Sequence, residues 1–252
     1  MSLPEMVFYE MKLLDHVVAV FICIVAPLLS FTSGKFSTDD VQLEPEDKIG
    51  LYHGNALLLT VFALVVISIW RLPGRTLGAL GMTMPEWNQT VSILLLAISA
   101  FYALDIFFQY GLRKWRKKSF EQRHAAFHFI PSDGRELMHF FFLALAAGIG
   151  EEIIFRGYLI HYILFWAGNT PEGILTACLI SSAVFAVLHG YQGFKSMLKI
   201  FILAMLFAGI YIISKSLLLV IFIHTMIDIL SGWLGIYLQR QMQQEQSSEG
   251  ES

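Results

Sequence analysis

Three short clusters in the second half of the chain place ionisable side chains inside otherwise apolar runs: Glu151-Glu152-Ile-Ile-Phe-Arg156-Gly157, Phe185-Ala-Val-Leu-His189 and His224-Thr-Met-Ile-Asp228. A charge at the centre of a bilayer costs about 2.5–3.5 kcal/mol on insertion scales, so such residues need partners or internal water and point to a functional site. The chemistry they can do is water activation. A carboxylate and an imidazole can share a water and take its proton. A second imidazole with a hydrogen-bonding partner can stabilise an oxyanion formed on a carbonyl. Glu151, His189, His224 and Asp228 supply that set. They are also ordinary Zn²⁺ ligands, which leaves a non-standard metal site open. No Gly-x-Ser-x-Gly elbow accompanies Ser181, Ser182 or Ser231, and no His-Glu-x-x-His is present, which argues against a serine hydrolase and a standard zincin.

Helical spacing assigns faces to these groups. Glu152 and Arg156 are four residues apart with the acid first, so they share a face and can pair, a role that could be purely structural. Glu151 is turned roughly 100° from Glu152, which leaves its charge without a cation on its own helix. His224 and Asp228 share a face, as do Phe185 and His189, so an aromatic ring can pack one turn from an imidazole. A lone His189 would read as a core histidine; its recurrence beside two further polar clusters on successive apolar segments favours a site.

The elements that must hold these groups are membrane helices. Of 252 residues, 56% are hydrophobic and 15% charged, against about 45–50% and about 25% in soluble domains, and the mean hydropathy is +0.62. This excludes a disordered chain and an ordinary cytosolic enzyme. The net charge of −3 offers no basic surface for nucleic acid. Continuous apolar runs are expected at about Leu14–Phe31, Gly54–Trp70, Val91–Leu112, Leu137–Trp166, Gly173–His189, Met197–Ile213 and Leu217–Leu238. The fourth is long enough for one tilted helix or two shorter pieces. The runs do not alternate as a β-barrel requires. The predicted fold is therefore an all-α polytopic membrane bundle of seven to eight transmembrane helices.

Residues 1–13 lack a signal-peptide pattern, so the first span is expected to be retained, and the polar tail from Gln239 to Ser252 is expected to be disordered. Cys23 and Cys178 read as small buried hydrophobes. The basic cluster from Arg113 to Lys118 should face the cytoplasm. Seven spans then place the N-terminus outside, the acidic loop with Asp39, Asp40, Glu44, Glu46 and Asp47 inside, and Arg71 and Arg75 outside, where two cations run against the rule. Asp105 reads as a helix–helix hydrogen bond. Glu136 and His139 have Glu-x-x-His spacing but lack the partners of a di-iron bundle, and read as an interfacial helix start. Ser119–Ile130, with His124, Phe127, His128 and Phe129, is placed along the interface.

Glu-Glu-x-x-x-Arg, Phe-x-x-x-His and His-x-x-x-Asp, in this order, resemble the CPBP family of CAAX proteases and bacteriocin-processing enzymes, also called Abi proteins, which includes the type II CAAX prenyl endopeptidase. The resemblance covers about Leu137–Leu238, with GEEIIFRGYL, SSAVFAVLHG and SLLLVIFIHTMIDIL as its blocks; GRTLGALGM before the third span also looks like a family lead-in. It implies a glutamate-dependent intramembrane endopeptidase, without cofactor or metal, whose helical bundle holds a cavity open to one side. Carried over by position, Glu151 and His189 would activate water, His224 and Asp228 would form the oxyanion site, and Glu152, Arg156 and Phe185 would support it. Asp228 departs from the Asn of the prenyl endopeptidases; an Asn amide donates to an oxyanion, which an ionised Asp cannot.

The resulting division is residues 1–136 as N-terminal spans and loops, 137–238 as a CPBP-like catalytic core and 239–252 as a polar tail. The expected partners are membrane lipids and a membrane-associated protein or peptide substrate, with no nucleic acid, in a multi-pass protein of the cell or plasma membrane. A metal-dependent protease using the same residues, a non-catalytic membrane immunity or scaffold protein, and a transporter remain the competing readings. The last lacks the inverted repeats and paired broken helices of its class.

Overall fold

A computed structural model of the chain describes residues 9–33, 44–107 and 129–250. Among these the regular structure is entirely helical, and seven helices are long and apolar enough to cross a membrane. We number these spans α1 (Leu13–Ser30), α2 (Pro45–Arg71), α3 (Gln89–Ile106), α4 (Gly134–Ala167), α5 (Pro171–Leu188), α6 (Phe194–Ser214) and α7 (Leu217–Gln241). The chain is thus an integral, multi-pass helical membrane protein, and the fourth apolar run is one continuous element. The basic cluster Arg113–Lys118, Asp39, Asp40 and most of Ser119–Ile130 lie outside the described residues.

Local sequence sets the helix ends. Asn88 accepts from the Val91 N–H at 3.0 Å and Asp133 from the Glu136 N–H at 2.8 Å, satisfying donors that the first helical turn leaves orphaned. Thr170 does the same for Gly173, with Pro171 as the first helical residue. Pro45 also begins a helix, so α2 starts nine residues before the apolar run at Gly54, in a polar turn with Glu46, Asp47 and Lys48. At the other end of the chain the helix holding α7 continues to Gly250. The tail expected to be disordered from Gln239 is helical to that point, in keeping with its content of Gln, Glu and Met, which are good helix formers.

The long helix α4 lies at the centre and packs against α2, α5 and α7. Its middle, Ile153–Leu159, widens into a π-helical stretch in which every residue is buried. The outer faces carry large exposed apolar side chains such as Leu57, Leu58 and Leu96, a surface suited to lipid and not to water. Two buried ion pairs mark opposite ends of the bundle. Lys48 at the start of α2 meets Glu136 at the start of α4 at 3.2 Å, and Arg75, just after α2, meets Asp15 near the start of α1 at 2.5 Å. Arg75 is also 4.5 Å from the centre of the Trp70 ring. One of the two cations that ran against the positive-inside reading is therefore sealed and neutralised inside the protein, where it no longer acts as a loop charge.

Close approach of α4 and α7 depends on Gly148. A Cβ built there would run into the Thr225 side chain and lie 3.0 Å from the Thr225 backbone nitrogen. Absence of a side chain at Gly148 lets the two helices that carry Glu151 and His224 touch backbone to side chain.

Candidate active site

The two glutamates sit where α4 changes from regular helix to the π-helical stretch: Glu152 closes the first part and Ile153 opens the second. The wide turn is held from outside. The Phe155 carbonyl accepts from the Ile160 N–H five residues on, and also from the Ser181 hydroxyl of α5 at 2.8 Å. Ser181 is thereby tied to the backbone, and Ser231 bonds the Tyr102 hydroxyl at 2.9 Å. Single π turns inside α-helices occur often at functional sites.

Glu152 is fully buried and bonds in two directions. Its Oε1 accepts from the Arg156 guanidinium at 2.9 Å, the pair expected from the i,i+4 spacing, and from His224 Nδ1 of α7 at 2.7 Å. The second bond is invisible to helical periodicity because its partners are 72 residues apart. Arg156 is 1% exposed at its side chain and is satisfied further by the Ala204 carbonyl of α6 at 3.3 Å. Its guanidinium carbon lies 4.7 Å from the Phe185 ring centre and 5.5 Å from that of Phe207, within range for cation–π attraction. Phe207 was not singled out in the sequence; it is one of many core aromatics, and only its place over Arg156 and 5.5 Å from the His224 ring marks it.

The hydrogen-bond partners assign the imidazole protons. An ionised carboxylate only accepts, so His224 Nδ1 donates to Glu152. Its Nε2 then points between Glu151 Oε2 at 3.7 Å and Asp228 Oδ2 at 3.6 Å. Both separations exceed a direct hydrogen bond and suit a shared water or substrate oxygen. His189 follows the last residue of α5 and contacts the Phe185 carbonyl through Nδ1 at 2.8 Å. A carbonyl cannot donate, so Nδ1 carries the hydrogen, and in the neutral ring Nε2 presents a free lone pair. The Phe185 ring lies 4.6 Å from His189 and 6.3 Å from His224, so one aromatic ring contacts both imidazoles. Tyr191, in the turn after α5, stacks on His189 at 6.2 Å.

Side-chain exposure rises across this cluster, from 0% at Glu152 and 1% at Arg156 to 10% at His224, 15% at Glu151 and 32% at Asp228. The sealed end can only orient other groups, whereas the open end can meet a substrate. All seven residues named from the sequence thus join through contacts among α4, α5 and α7. His224 reaches both glutamates, a link the spacing alone did not give. Asp105 pairs with Lys199 across α3 and α6, and Glu136 is buried at a helix start. Among the described residues no three His, Cys, Asp or Glu side chains are grouped to hold a metal ion.

Residues 133–230 match the family described as Type II CAAX prenyl endopeptidase Rce1-like. The matched stretch runs from the cap of α4 into α7 and contains all three motifs, so the family indicated by the motifs is the family whose model matches. A Rce1-like domain of this kind marks a membrane peptide hydrolase. No curated protein and no solved structure matches the chain.

Proposed function

We propose that the chain is an intramembrane endopeptidase that cleaves membrane-associated protein or peptide substrates by glutamate- and histidine-assisted attack of water, in a cell or plasma membrane. The supporting observation is the arrangement around His224: Nδ1 anchored on sealed Glu152, and Nε2 directed between the more open Glu151 and Asp228. Glu151 takes a proton from the attacking water. The water oxygen bonds to the scissile carbonyl carbon, and the electron pair of the C=O bond moves onto the carbonyl oxygen. The protonated His224 ring donates to that oxyanion from Nε2. His189, with its Nε2 lone pair free, relays the proton held by Glu151 to the amide nitrogen, and the oxyanion's electron pair re-forms the C=O bond as the C–N bond breaks, releasing the amine and leaving the new carboxyl group. Asp228, one turn from His224, orients that ring from the open side.

Glu152 and Arg156 act through His224 and are positioning residues. This division of labour follows the exposure gradient, and it makes residues 137–238 the catalytic unit, with the first three spans as its support. The experiment that tests the reading is comparative membrane proteomics of cells carrying the natural protein or a Glu151→Ala copy. Membrane-associated fragments present only with the natural protein are expected. Identical fragment sets would refute the assignment.

A further inference from the structure

A second histidine pair lies well away from the site described above. His53 of α2 and His139 of α4 bring Nε2 and Nδ1 to 2.9 Å, with their rings 77° apart and centred 5.1 Å from each other. His139 is twelve residues before Glu151, about 18 Å along a helix at 1.5 Å per residue. The His53 ring also lies 6.3 Å from that of Phe142, and a buried ion pair joins the same two helices nearer their starts. Lys48 is engaged by Glu136, which also accepts from the Ser132 N–H at 2.8 Å, so no free ammonium from Lys48 competes for the histidines. His53 is exposed and His139 half-buried, which leaves one side of the pair open.

We propose that His53 and His139 form a binding site for a borderline divalent transition-metal ion, of the Zn²⁺, Cu²⁺ or Ni²⁺ class, that staples α2 to α4. Neutral imidazole is the ligand those ions favour. Metal–nitrogen bonds of about 2.0–2.1 Å at a tetrahedral angle put two ligand nitrogens about 3.3 Å apart. The observed 2.9 Å therefore needs only a few tenths of an ångström of opening, with the two lone pairs swung from each other towards the ion. Two protein ligands are supplied, and water completes the coordination on the open side. The metal takes the place of the single hydrogen shared by the pair and adds a cross-link between two helices already joined by the Lys48–Glu136 ion pair. Because the two imidazoles, 86 residues apart in sequence, are brought together by the fold, binding stabilises the folded bundle by an amount that grows with the logarithm of the free ion concentration above the Kd. The site is independent of the peptidase reading.

The test uses the full, untagged chain purified in lipid nanodiscs and stripped with a chelator, to which Zn²⁺, Ni²⁺ or Cu²⁺ is added separately. Expected are one saturable equivalent, a rise in Tm, and a Cu²⁺ electron paramagnetic resonance spectrum with two imidazole nitrogens. His53→Gln and His139→Gln should each weaken binding tenfold or more and abolish the rise, while His189→Gln keeps both. Gln retains a hydrogen-bonding side chain of similar reach, and each variant's Tm in chelator shows whether it has folded. No binding by the natural chain overturns the proposal, as does binding that survives both substitutions. Binding lost in His189→Gln but kept in His53→Gln also overturns it, placing the metal at the other histidines.

Discussion

Arg156→Met tests how the sealed end of the site is held. In the native protein Glu152 Oε1 has two partners, Arg156 at 2.9 Å and His224 at 2.7 Å, and the Glu152–Arg156 pair is at most 1% exposed at either side chain. Among the described residues Glu152 Oε2 has no hydrogen-bond partner, and both bonds of the carboxylate are made through Oε1. Removing the guanidinium leaves that buried charge facing only His224, and breaking a truly buried pair costs about 3–5 kcal/mol. Glu152→Gln should cost less, because the Gln carbonyl can still accept from both partners while Arg156 keeps the Ala204 carbonyl and its two rings. The double variant should lose less than the sum of the singles by more than the roughly 0.3–0.5 kcal/mol scatter seen for independent sites. The assay is equilibrium unfolding in a fixed detergent and lipid mixture, with activity measured in parallel. Strictly additive stability losses would refute the pairing, and an unchanged Arg156→Met protein would refute its burial.

Asp228→Asn should retain activity, since Asn keeps both the size and a hydrogen-bonding group 3.6 Å from His224 Nε2, whereas Asp228→Leu should be severely impaired; turnover of one peptide by both variants checks this, and an Asn variant as inactive as Leu would make the carboxylate itself essential. Peptide cleavage should survive a strong chelator, because a glutamate–histidine site needs no ion; loss with the chelator and return with Zn²⁺ would turn Glu151, His189, His224 and Asp228 into metal ligands. Gly148→Ala should destabilise the protein by about 1–3 kcal/mol, the usual cost of overpacking, and lower turnover by pushing α7 and His224 away from α4. Its Tm and rate measured together decide, and a wild-type value for both would contradict the close approach.

The apolar runs made the spans legible, because in lipid a helix needs a long uninterrupted apolar stretch and little else. The start of α2 at Pro45 was not legible: its first turns are polar, and Lys48 becomes tolerable only through Glu136, 88 residues away. The same limit applied to Arg75, whose partner Asp15 lies on another span. Within the site, spacing correctly paired Glu152 with Arg156 and Phe185 with His189, since both are one-turn contacts on one helix. It put His224 with Asp228 for the same reason, yet the two stand 3.6 Å apart and the direct hydrogen bond from His224 goes to Glu152. Periodicity describes one helix at a time, whereas that bond depends on how α7 meets α4 at Gly148. The π-helical stretch from Ile153 to Leu159 was equally hidden, because its wide turn is secured by the Ser181 hydroxyl of a neighbouring helix.

The central claim is that Glu151 is the base that activates water. It is tested most directly by the cleavage rate of Glu151→Gln, purified in lipid nanodiscs, on a peptide that the natural protein cleaves, with Tm measured on the same sample. Gln keeps the shape of Glu but cannot take a proton. The expected result is no turnover above background at an unchanged Tm; turnover close to that of the natural protein would contradict the account and place the base on another residue.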